Sequence, residues 1–141
     1  MDKRTYLALF ESEENVPGFT VTFPDLPGAV TEGDTFDEAC HHAQECLELH
    51  LWGMEREGDD IPSPSLPGRI IVPSGAFLVP ISGWLDEVRD EMRNKAVNKM
   101  VTLPRWLKDR AEQENINFSQ ILQSALKERL GLLHDPDQSH S

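Results

Sequence analysis

Residues 95–131, KAVNKMVTLPRWLKDRAEQENINFSQILQSALKERLG, cannot fold alone, and this restricts every structure open to the chain. Val97, Val101 and Leu103 fall on one side of an alternating run, with Asn98, Met100 and Thr102 on the other, which is the period-two pattern of a strand. Pro104 stops the run and suits the first turn of a helix, where its missing N–H would be unpaired anyway. A first helix is predicted from about Pro104 to Glu114, with Leu107 and Ala111 facing a core and Asn115 taking a left-handed cap. A second helix starts from the N-cap Asn117, with Gln120 three residues on, and ends at Gly131. Phe118, Ile121, Leu122, Ala125, Leu126 and Leu130 form its apolar stripe. A lone strand leaves its backbone donors and acceptors unpaired, and so few residues give too little core. A second copy supplies both, as an antiparallel two-stranded ribbon over an intertwined four-helix base, and such a ribbon fits the major groove of DNA.

The order of strand, proline, helix and capped helix resembles the ribbon-helix-helix family. The resemblance implies that the outward strand residues touch base edges, here Asn98, Met100 and Thr102. Asn pairs with adenine, and the Met and Thr carbons meet a thymine methyl. It also implies that the start of the second helix, at Asn117, Phe118 and Ser119, offers backbone N–H groups to a phosphate. Lys99 departs from the pattern, since it lies on the inward parity where the family usually has an apolar residue. Its stem is expected along the dimer edge, with the ammonium on a phosphate. The alternative for this segment is a helical hairpin that only dimerises.

A net charge of -12 argues at first against a nucleic-acid partner. Its distribution reverses that impression. Met1 to Arg93 carry 6 Lys and Arg against 19 Asp and Glu, a net of -13, whereas Asn94 to His134 carry 7 against 4, a net of +3; the last seven residues add -2. Two domains of opposite character follow.

The acidic part begins with three short strands, Thr5 to Glu11, Gly18 to Phe23 and Gly28 to Glu32, separated by turns at Asn15-Val16-Pro17-Gly18 and Pro24-Asp25-Leu26-Pro27-Gly28. Thr35 and Glu38 make a capping box for a long helix carrying Phe36, Ala39, Ala43, Cys46, Leu47, His50 and Leu51 at helical spacing. It stops near Gly53 or Gly58. GDDIPSPSLPG is a loop, and Arg69 to Val72 and Ala76 to Ile81 are read as further strands. The order is β-β-β-α-β, an α+β two-layer domain. The divisions are then 1–82, a linker or short helix at 83–94 carrying Leu85, Val88 and Met92 at helical spacing, a β-α-α module at 95–133, and a disordered tail at 134–141.

The string PGFTVTFPDLPGAVTEGDTFDEA from Pro17 to Ala39, with the helix end ECLELHLWGM, closely resembles the HicB antitoxin family. The resemblance covers nearly the whole chain and is most specific where the FPDLPG turn is combined with NFSQILQSALKERL. It implies a truncated RNase-H-like N-terminal domain and a C-terminal ribbon-helix-helix. It further implies a HicA-type toxin as partner, a small basic ribonuclease that cleaves mRNA, and repression of the shared operon through operator double-stranded DNA. The charge suits that role, because carboxylates can stand where the toxin's RNA phosphates would lie. Candidate toxin contacts are Asp25, Glu48, Glu55, Asp59 and Asp60. A homodimer is expected, or a homotetramer if the N-terminal domains also pair. The rival is a ribbon-helix-helix repressor whose acidic domain senses a small ligand.

Catalysis is not expected. Asp25, Glu32, Asp34 and Glu38 are acidic, but they sit around turns and a helix cap, where such residues have structural uses, rather than as a magnesium cradle. His42, Cys46 and His50 recur every four residues, yet three ligands spread over two turns converge poorly on a tetrahedral zinc. No metal or cofactor is therefore expected. Trp52, Trp84 and Trp106 are read as packing residues. Cys40 and Cys46 lie on different helix faces, which argues against a disulfide. With no apolar run of membrane-spanning length and no signal peptide's apolar region, a cytoplasmic protein is expected.

Overall fold

Four strands form one antiparallel sheet in the order β3-β2-β1-β4: β1 (Lys3–Glu11), β2 (Phe19–Thr22), β3 (Val30–Gly33) and β4 (Phe77–Trp84). The structure, a computed structural model, describes residues 1–132, so the tail expected to be disordered lies outside the described residues. Alternation decides which face is covered. Tyr6, Ala8 and Phe10 of β1, Val21 of β2 and Ile81 of β4 are buried in one core. Helix α1 (Phe36–Glu57) fills that core with Ala39, Ala43, Leu47 and Leu51, all four fully buried and four residues apart. Thr35 caps α1, its hydroxyl accepting from the Glu38 N–H at 3.1 Å, and Gly58 closes it in the left-handed conformation at φ 75. Of the two stops allowed by the sequence, the second is used.

Residues 69–72 are not a strand. Pro67–Arg69 form a short 3-10 turn, and Ile71 beyond it is 91% exposed. The β-branched pair Ile70-Ile71 has the composition of a strand, but with prolines at 67 and 73 it is too short to reach a neighbour. The last strand is therefore β4 alone.

Of the two readings of residues 83–94, linker or short helix, the helix forms. Gly83 and Trp84 end β4, and α2 (Leu85–Asn94) follows without a loop, burying Leu85 and Val88 in the same core. The Leu85 N–H donates to the Asp2 carbonyl, and Arg89 reaches both Asp2 at 2.9 Å and Glu55 at 2.6 Å. The Arg89 hydrogen bond holds the Glu55 carboxyl below the usual carboxylate range, and Arg4 with Arg89 does the same for Asp2. Because both values are lowered on folding, this clamp contributes fully at neutral pH and is lost as the pH falls through the depressed values. The first compact unit thus runs from Met1 to Ala96 rather than ending at 82.

The second unit starts at Val97 and contains α3 (Arg105–Gln113) and α4 (Phe118–Arg129). Asn115 takes the left-handed conformation at φ 55 between them, and Asn117 Oδ1 accepts from the Gln120 N–H at 3.1 Å. Residues 95–104 have the alternation of a strand but no regular structure in the single chain, because a strand exists only when a neighbour takes its hydrogen bonds.

Candidate functional site

Among its described residues, the second unit has no core of its own. Among residues 97–132 none is buried, and only Ala111 is half-buried. Its apolar side chains nevertheless converge: Leu103, Leu107, Ile116, Phe118 and Leu122 line one open groove of about 370 Å³, with polar groups almost absent from its wall. Each large side chain there would contribute roughly 1–2 kcal/mol if sealed from water. The alternation predicted for residues 97–103 is visible in this groove. Val101 and Leu103 line it, while Met100, just before them, is 94% exposed; Val97, expected on the same side as Val101, is 84% exposed and lies outside the groove. Asn98, Lys99 and Thr102 are exposed with Met100. At the start of α4 the Asn117 side chain is used in capping and the Phe118 ring belongs to the groove, while Ser119 is exposed. Trp106, read as a packing residue, is 69% exposed in the single chain.

In the first unit three of the five candidate toxin contacts are already occupied. Asp25 accepts from the Ser65 N–H at 2.8 Å and the Ser65 hydroxyl at 2.5 Å, pinning the long loop across the 24–28 turn. Glu48 accepts from the Trp84 N–H at 2.9 Å, where β4 passes α1. Glu55 is held by Arg89. Only Asp59 and Asp60 stand exposed in the loop after α1.

A different set of carboxylates is gathered. Glu11 at the end of β1, Glu13 in the following turn, Glu32 in β3 and Asp34 just after it line a single hollow of about 210 Å³, whose wall also includes Phe19 and Val16. Strand register brings two of them together: Glu11 pairs with Thr20 across β1 and β2, and Thr20 with Glu32 across β2 and β3. No Lys or Arg lines the hollow. Sequence reading weighed Glu32 and Asp34 as magnesium ligands, set that aside and gave them structural uses around turns. Among the described residues no three His, Cys, Asp or Glu side chains are grouped to hold a metal ion.

The histidine and cysteine stripe of α1 has a structural use. β3 is an edge strand, and its Glu32 carbonyl accepts from His42 Nδ1 at 2.7 Å while its Val30 carbonyl accepts from the Cys46 thiol at 3.8 Å. Helix side chains thus cover edge carbonyls that would otherwise invite another strand. Burial pushes the Cys46 thiol up from its ordinary value, away from the reactive thiolate. Trp52 and Trp84 are half-buried under Arg56 and Lys3, with the cations 5.4 and 5.6 Å from the ring centres. No helix among the described residues is long and apolar enough to cross a membrane.

A sequence family described as the HicB-like antitoxin of bacterial toxin-antitoxin systems matches residues 6–134. Antitoxin HicB 2 of Photorhabdus laumondii is 39% identical over 67 residues, which span 48% of this chain and 47% of that protein. An uncharacterized 14.9 kDa protein of Haemophilus phage HP1 is 29% identical over 96 residues, 68% of this chain and 71% of that protein. Among solved structures, a toxin-antitoxin complex from Streptococcus pneumoniae contains a chain with a TM-score of 0.60 and 22% identity, covering 91% of this chain and 99% of that one, a likeness of fold.

Proposed function

The chain belongs to the HicB-like antitoxin family of bacterial toxin-antitoxin systems, and on that premise we propose that it neutralises a HicA-type mRNA-cleaving toxin and represses its own operon by binding operator DNA. Neutralisation is by occlusion. The first unit, a truncated RNase-H-like domain, sets a net charge of -12 against a small basic ribonuclease and covers the surface that RNA would need. The protein itself carries out no reaction and needs no cofactor.

The observation that carries the repressor half is the coreless second unit. An apolar groove on a segment with no buried residue calls for a second copy, and the alternating run of 97–103 is placed to pair with its counterpart. The paired module is a ribbon-helix-helix dimer. Asn98, Met100 and Thr102 then face the major groove, Lys99 reaches a phosphate, and the backbone at Asn117, Phe118 and Ser119 receives another. The four Lys and Arg flanking the ribbon at 95, 99, 105 and 108 give this end its basic character despite the acidic whole.

The direct experiment is co-expression of the full chain with the small basic protein encoded in the adjacent reading frame, followed by pull-down and RNA cleavage by the partner with and without this chain. Co-purification with suppressed cleavage is the expected result. No partner, together with retained promoter binding, would replace the antitoxin reading by a ligand-sensing repressor. Within the repressor arm, Asn98→Ala with Thr102→Ala is expected to weaken operator binding roughly 10- to 100-fold, in line with the loss of base-edge contacts. Toxin binding and oligomeric state should stay unchanged, which gel shift and light scattering check. Loss of the oligomer in the same variant would make the run structural only.

A further inference from the structure

From the fold of the first unit we infer that the end of the sheet formed by Phe19, Phe36 and Phe77, with the acidic hollow beside it, is the surface on which a basic protein partner docks, one Lys or Arg of that partner entering the hollow. The inference rests on the antitoxin reading and supplies the contact surface that reading lacks.

Two exposed features meet there. Phe10, Phe19, Phe36 and Phe77 come from β1, β2, the start of α1 and the start of β4, and their ring centres lie 5.6 to 6.1 Å apart. Phe10 is fully buried, but Phe36 is 45% exposed and Phe77 38% exposed, so the cluster ends in aromatic surface open to water. Exposed, rigid aromatic surface of this kind is enriched where proteins meet. Phe19 belongs to both the cluster and the wall of the hollow, so apolar ground and carboxylates are continuous.

The hollow states the charge of the occupant. Glu11, Glu13, Glu32 and Asp34 face it without a cation in its lining, and Phe19 and Val16, the latter 56% exposed, offer an apolar wall. A Lys or Arg side chain matches both halves, with its stem along Phe19 and Val16 and its head among the carboxylates. A second copy of this chain is the poorer occupant, since it would set one unit of net charge -12 against another. RNA and DNA are repelled for the same reason.

The test measures binding of the full chain to the basic protein encoded beside it. Glu11→Lys with Glu32→Lys is compared with Glu87→Lys plus Asp90→Lys, which changes the net charge equally on the exposed side of α2. Glu13→Lys with Asp34→Lys probes the hollow from outside the strands, so the result does not depend on the first pair preserving the sheet. Both hollow pairs are expected to weaken binding ~100-fold or more, because like charges meet in a confined site, with the α2 pair within a few-fold of the natural chain. Equal weakening by all three would reduce the effect to net charge, and undiminished binding by both hollow pairs would place the partner elsewhere. Either result overturns this surface while leaving the antitoxin reading standing. Failure of the natural chain to bind the basic protein overturns both.

Discussion

A Leu122→Asp chain is expected to behave as a monomer in solution and to lose operator binding altogether, while still binding the basic partner of the first unit. Leu122 is 38% exposed and lines the groove between α3 and α4, so in the single chain the aspartate stays in contact with water and upsets no existing core. In a paired module it would be sealed among Leu103, Leu107 and Phe118, where a carboxylate has no cation to meet. Losing the leucine and burying the charge together cost roughly 3 kcal/mol or more per copy. Two copies per dimer raise the dissociation constant by about four orders of magnitude, at 1.4 kcal/mol per tenfold. Operator binding falls with it, because one ribbon strand without its partner has no backbone pairing and cannot hold Asn98 and Thr102 at fixed spacing. Sedimentation and gel shift read the two effects, and a dimer that persists in the variant would mean the groove is not the pairing face.

Local signals were legible in the sequence, and long-range partnerships were not. The caps at Thr35 and Asn117, the left-handed Asn115 and the first three strands follow from residues within four positions of one another, and each forms where expected. The run at 69–72 misled because β-branched composition was present but a neighbouring strand was not. The stretch LDEVRDEMRN carries Leu85, Val88 and Met92 at helical spacing and reads as a linker or a short helix; the helix forms, but its place in the core depends on β4 delivering Leu85 to the core packed under α1. The internal partners of three acidic candidates were hidden by the same distance. Asp25, Glu48 and Glu55 look like free surface charge, yet their partners Ser65, Trp84 and Arg89 lie 40, 36 and 34 residues away in the chain. Conversely, Glu11 and Glu32 are brought into one hollow only by strand register, which no local pattern announces. The groove of the second unit was foreseen because its logic is local: too many apolar residues in too short a segment.

Gly33→Ala is expected to destabilise the first unit by about 3 kcal/mol or more. Gly33 is the buried last residue of β3, at the point where the chain turns into α1. A Cβ placed there would lie 2.4 Å from the Ala39 nitrogen and 2.6 Å from its α-carbon, so the obstacle is helix backbone rather than a side chain able to rotate away. The residue before β2 is just as close: a Cβ added to Gly18, at φ +97, would lie 2.5 Å from the Gly33 carbonyl oxygen. Relief would require lifting the start of α1 off the sheet, which opens Ala39, Ala43 and the capping bond of Thr35 to water. For a unit of this size the melting temperature should drop by roughly 10 °C or more. Gly53→Ala is the opposite case within the same helix: nothing lies within 4 Å of its added Cβ, and replacing a mid-helix glycine should stabilise by about 0.5–1 kcal/mol. The pair therefore separates steric closeness from backbone entropy in one thermal-melting experiment. If Gly33→Ala melted with the natural chain while Gly53→Ala rose, α1 would have to sit farther from β3 than this packing allows. The Glu32 carbonyl would then lose His42, the sheet edge would open, and the acidic hollow that Glu32 and Asp34 help to form would lose its shape.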